Sequence, residues 1–128
     1  MIMGSDSGQR IHSRSGPAAE LLMALEHHKA GRLRRAEAHY RQVLRKVPKH
    51  PDALHLLGVI ALDRGRPEQA IELIRKALAV QPNLAQAYSN LGNALLACGR
   101  RAEAIANYRR AIDLEPHFAV AQITLAEH

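Results

Sequence analysis

The sequence predicts an all-α fold, a right-handed superhelical solenoid of helix-turn-helix hairpins, on the strength of three observations. Gly31, Gly65 and Gly99 recur every 34 residues, as do Ala36, Ala70 and Ala104, and Pro48, Pro82 and Pro116. A fixed period of this size marks stacked supersecondary units. Apolar columns keep the same register: Met23, Leu57, Leu91 and Leu125 form one, Tyr40, Ile74 and Tyr108 a second, Val43, Ala77 and Ala111 a third. Within one period, LHLLGVIALDRG and PEQAIELIRKALAV each carry apolar residues at helical spacing, so each unit is a pair of helices.

Taken in order, residues 1–16 are polar and rich in Ser and Gly, and composition predicts a disordered tail. The repeat domain then runs over 17–128, with full repeats at 17–50, 51–84 and 85–118. Residues 119–128 read as the first helix of a partial fourth unit. Gly65 and Gly99 end first helices, because glycine takes the left-handed C-terminal conformation without a side-chain clash. Pro67 suits the first turn of the next helix, and Pro82 and Pro116 stop second helices that a proline ring cannot continue. Gly58, Gly92, Ala70, Ala104, Ala77 and Ala111 are spacers that let neighbouring helices approach.

Charge is unevenly distributed. Residues 1–50 hold ten Lys and Arg against four acids, while 51–128 balance eight against eight. Arg32, Arg34, Arg35, Arg41, Arg45, Lys46 and Lys49 form the basic cluster, which suits an acidic partner, a phosphate backbone or plain solvation. With no Trp, one Phe and three Tyr, there is little with which to stack bases, and nucleic acid is not expected as a partner. One cysteine, Cys98, fits a reducing compartment. Neither an apolar leader nor a run of eighteen apolar residues is present, so a cytoplasmic location and no membrane partner are expected.

Tyr88, Leu91, Gly92, Leu95, Ala104, Tyr108 and Pro116 closely resemble the tetratricopeptide pattern of aromatic, Leu-Gly, large apolar, Ala, aromatic and Pro. Leu54, Leu57, Gly58, Ala61, Ala70, Ile74 and Pro82 repeat it, and Glu20, Met23, Ala24, His27, Ala36, Tyr40 and Pro48 do so more distantly. The chain is similar to bacterial repeat arms of this family, including those of O-linked N-acetylglucosamine transferase-like proteins. The resemblance implies a protein-interaction module whose first helices line a concave groove for a peptide or protein segment. Carried across residue by residue, the groove positions are Leu21, Leu25 and His28, then Asp52, His55, Val59 and Leu62, then Gln86, Ser89, Asn93 and Leu96.

Family members that grip a C-terminal carboxylate do so with Lys, Arg and Asn; here the matching positions are Leu21, Leu25, Leu56, Gln86 and Asn90, without a cation. A chaperone-tail receptor is therefore not expected. Asn90 and Asn93 resemble part of an asparagine ladder that holds peptide backbones in the transferase arms. ALHLLGVIALDRGRPEQAIELI and SNLGNALLACGRRAEAIANYRRAI resemble repeat arms ahead of glycosyltransferase or sulfotransferase domains, so the alternative reading is a recruiting arm of a larger enzyme.

No Ser, His and acid set, Gly-rich phosphate loop or HExxH occurs, so no catalytic residue and no cofactor are expected. The eight His do not converge in sequence as a metal set: His27 and His28 are neighbours on one helix and point about 100° apart. FAVAQITLAEH leaves Val120, Ile123 and Leu125 without a following helix. A longer chain, a second copy forming a homodimer through this end, or inward tilting would cover them.

Overall fold

The computed structural model describes residues 2–116, with side chains from Gly16 onward. It contains helices α1 (Ile2–Lys29), α2 (Leu33–Lys46), α3 (Pro51–Asp63), α4 (Pro67–Val80), α5 (Ala85–Ala97) and α6 (Arg101–Leu114), with no strand among the described residues. They pair as α1 with α2, α3 with α4, and α5 with α6. The all-α hairpin expectation thus holds. The expected fourth helix at 119–128, and with it the proposed homodimer surface, lies outside the described residues.

Two compact units are formed, one up to Pro48 and one from Lys49. In the first, α1 breaks at Gly16, whose φ of 56° is left-handed, and Pro17 starts the segment that pairs with α2. Residues 2–15, for which composition suggests a loose tail, trace a helix of their own before that break. The hairpin core is small: Ala24, Ala36, Tyr40 and Val43 are completely buried. Tyr40 Oη lies 3.1 Å from His28 Nδ1, and His39 Nδ1 lies 2.7 Å from Glu20 Oε1, so polar contacts also fasten α2 to α1.

The second unit holds two hairpins, with α4 packed on α5. Its core runs through Ala61, Ala70, Ile71, Ile74, Ala87, Leu91, Ala94, Leu95, Ala104 and Tyr108. Small residues set the helix separation. A β-carbon on Gly58 would come within 2.7 Å of Ile74 Cγ1, and one on Gly92 within 2.6 Å of the Tyr108 ring. The second helices therefore press their large residues directly on the backbone of the first, as the spacer reading expects.

The hairpin turn repeats almost without change. Gly31, Gly65 and Gly99 have φ of 79°, 76° and 76°. Each turn closes with two hydrogen bonds: Arg66 N–H donates to Ala61 O and Gly65 N–H to Leu62 O, and the same pair recurs from Arg32 and Gly31 and from Arg100 and Gly99. This pattern satisfies carbonyls at the helix end that would otherwise be orphaned, and it requires a left-handed residue. It holds the turn to three residues and fixes which face of each first helix is left uncovered.

Candidate functional site

The face left uncovered in the second unit belongs to α3 and α5. Its electrostatics follow from composition: PDALHLLGVIALD and AQAYSNLGNALLA contain no Lys or Arg, and their only charges are Asp52 and Asp63. The cations of this unit stand on the second helices and in the turns, as Arg75 and Lys76 on α4 and Arg101, Arg109 and Arg110 on α6. This surface is neutral to acidic, and it offers aliphatic and amide groups.

Asp52 and Gln86 are exposed, while Val59, Leu62, Asn93 and Leu96 are half-buried. Leu62 and Leu96 rest their inner sides on the core. Such side chains are anchored yet still present apolar surface to a ligand. Asn93 is held from behind, because the Tyr108 hydroxyl donates to its Oδ1. With the carbonyl end occupied, the half-buried Asn93 side chain has its amide N–H groups left to donate.

His55 and Ser89 lie beneath this face. His55 is 6% exposed and Ser89 fully buried, so neither is open to a ligand, although their register matches the groove positions. His55 Nε2 accepts a hydrogen bond from Asn90 Nδ2 at 2.9 Å, tying α3 to α5. Burial pushes the His55 pKa down to about 4, against the opposing pull of Asp52. At neutral pH the ring is therefore uncharged and structural. The Ser89 hydroxyl has no hydrogen-bond partner among the described residues.

Leu21, Leu25 and His28 belong to the first unit, where all three are half-buried on α1. His28 meets Tyr40 edge-on with ring centres 6.0 Å apart. Next to it, His27 stacks on His39 at 5.2 Å and its Nδ1 accepts from Arg32 Nε at 2.8 Å. These imidazoles are engaged with one another and with neighbours. No group of three metal-ligating side chains converges among the described residues.

Of the carboxylate-clamp positions in the second unit, Leu56 is half-buried, Gln86 is exposed, and Asn90 is committed to His55. The thiol of Cys98 has its pKa raised by burial and by the nearby Glu68 carboxylate, which leaves it protonated. No helix among the described residues is long and apolar enough to cross a membrane. Tyr108, which sequence reading places in a core column, is the residue that bonds Asn93. In the second unit Tyr108 stands with Asn93 and Ile74 with Val59, whereas in the first unit Tyr40 stands with Leu25 and meets His28 instead, so the column alone does not reveal the partner.

Comparison with known proteins yields two family-model matches, each described as a tetratricopeptide repeat, over residues 21–85 and 85–118. No curated protein matches. Among solved structures, a mutant O-GlcNAc transferase from Thermobaculum terrenum superposes with a TM-score of 0.84 at 33% identity, over 88% of this chain. The chain spans only 22% of that transferase. MamA matches with a TM-score of 0.72 at 22% identity, over 82% of this chain and 61% of its own. The first repeat domain of Spaghetti, bound to the HSP90 peptide SRMEEVD, matches with a TM-score of 0.81 at 20% identity, over 88% of this chain and 91% of that one.

Proposed function

As the chain belongs to the tetratricopeptide repeat family, a family of protein-interaction modules, we propose that it binds a protein segment on the α3 and α5 face through Val59, Leu62, Asn93 and Leu96. The carrying observation is Asn93. Its carbonyl is taken by Tyr108, which leaves an oriented amide to donate to a backbone carbonyl of the ligand, between three half-buried aliphatic side chains. A half-buried donor already held by a second hydrogen bond loses little entropy on binding. The aliphatic neighbours then supply apolar contact area and side-chain selectivity.

Charge narrows the ligand class. A face with Asp52 and Asp63 and without cations favours a segment with aliphatic side chains and neutral or positive flanks over one ending in acidic residues. The chaperone peptide of the Spaghetti complex is the opposite type, so that ligand is not carried over to this chain. Catalysis has no part in the proposal, and cytoplasmic location stays as the composition suggests.

Selection of a random displayed peptide library on the purified chain, followed by rebinding to variants, tests the site. Val59→Glu and Asn93→Ala should each weaken selected peptides by about tenfold or more, roughly 1.4 kcal/mol. Peptides that keep full affinity for both variants would place the site elsewhere.

A second reading has one observation in its favour, the 33% identity to part of a much longer transferase. In it, the same face recruits substrates for an enzyme of which these residues form one arm. An antibody to the repeats, applied to the source cells, separates the two. A band near 14.1 kDa supports the free module, and a band several times larger supports the arm.

A further inference from the structure

The outer face of α2 is the charged surface that the groove does not use. Arg34, Arg41 and Arg45 fall at i, i+7 and i+11, within about 20° of one line along the helix. Arg35 and Lys46 form a second line beside it, and all five side chains are exposed. Only Arg41 is paired, with Glu37 at 2.9 Å. Arg34, Arg35, Arg45 and Lys46 make no ion pair among the described residues.

The arrangement runs against local preference, and the repeat itself shows this. At the register of Arg34 and Arg35, α4 carries Glu68 and Gln69, and α6 carries Ala102 and Glu103. α4 and α6 each have an acid in the first turn, whereas α2 has none and holds two arginines there. Cations at the positive end of a helix dipole are unfavourable. Arg41 and Arg45 at i, i+4 also repel each other. Glu103, by contrast, neutralises its surroundings through Arg100 at 2.8 Å and Arg75 at 3.6 Å. The conflict lies in the first turn, since Arg45 and Lys46 stand in the last turn, where the dipole favours cations; a first-turn arginine pair that no acid offsets is where a surface serves something other than its own fold.

The partner follows from what accompanies the charge. No aromatic ring is exposed on these two lines, since Tyr40 of α2 is fully buried, so bases find nothing to stack on. Among the described residues the exposed large apolar side chains are Leu22, Val47 and Val80. None lies on the two lines, so the lines themselves present no apolar side chain to a lipid layer. Four of the five cations are arginines, whose planar forks suit carboxylates bidentately. We infer that the α2 face carrying Arg34, Arg35, Arg41, Arg45 and Lys46 is a second docking surface, whose partner is a protein segment rich in Asp and Glu. It belongs to the first unit and carries charge of opposite sign to the α3 and α5 face of the second.

Fluorescence anisotropy with a labelled Glu-rich peptide of about a dozen residues, at roughly 150 mM salt where long-range attraction is screened, tests this. Arg34→Glu with Arg45→Glu should weaken binding about tenfold or more. Arg101→Glu with Arg109→Glu, the same change in net charge placed on α6, should leave it within about twofold. Arg34→Glu alone should melt no lower than the parent, because it puts an acid where α4 has Glu68, and should by itself weaken peptide binding, which separates lost docking from lost folding. Equal losses in both double variants would reduce the effect to net charge and overturn the inference. So would tighter binding of a DNA duplex or of phosphatidylserine vesicles than of the peptide, or no peptide binding by the parent.

Discussion

His55 shows how burial turns an ionisable residue into a structural one. Its folded pKa of about 4 lies below the value of 6.5 for a free imidazole, chiefly through desolvation. Between those two pH values the unfolded chain binds the proton and the folded chain does not. Stability is therefore complete above pH 6.5, declines as the pH falls toward 4, and levels off below that as far as this group is concerned. The full loss is at most about 3 kcal/mol. Urea melts from pH 7 to 4 should show this decline, and His55→Gln should flatten it. An unchanged slope in the variant would mean that another group titrates.

Among the elements, contact between the paired helices is governed by glycine. The Tyr108 ring lies where a Gly92 β-carbon would sit, and an aromatic ring fixed at its hydroxyl end by Asn93 cannot swing aside cheaply. Gly92→Ala should therefore cost about 1–3 kcal/mol although alanine is the better helix former. Chemical denaturation gives the sign directly, since a stabilised variant would show that α5 and α6 can part to admit a methyl group. Helix propensity and tertiary packing make opposite predictions here, and the distances favour packing.

At the scale of the molecule the two units differ in core. The first has one hairpin whose four fully or nearly fully buried apolar side chains are Ala24, Ala36, Tyr40 and Val43, whereas the second stacks two hairpins around a continuous cluster. Repeat stability sums intrinsic and neighbour terms, so amides of α2 should exchange with deuterium faster than those of α4 and α5. Equal protection throughout would show the units opening as one. The fold was legible in the sequence because three kinds of marker, Gly, Ala and Pro, keep one period, and each has a direct backbone or packing cause. The site was legible only in part. Register puts Val59, Leu62, Asn93 and Leu96 at the proposed groove positions, but the hydrogen bond that engages His55 comes from Asn90, 35 residues later. The hold on Asn93 likewise depends on Tyr108 of the next helix, and no single-helix pattern contains either partner.

The Tyr108 to Asn93 hydrogen bond also has an optical consequence. The chain contains no tryptophan, so tyrosine emission is not masked by a stronger fluorophore. Tyr40 lies in one unit and Tyr108 in the other, each almost wholly shielded from water. A ligand that draws on the Asn93 amide perturbs the acceptor of the Tyr108 phenol, and with it the emission of that ring. Under the proposed function, occupancy of the α3 and α5 face should thus be readable without a label, from a native chromophore bonded to Asn93.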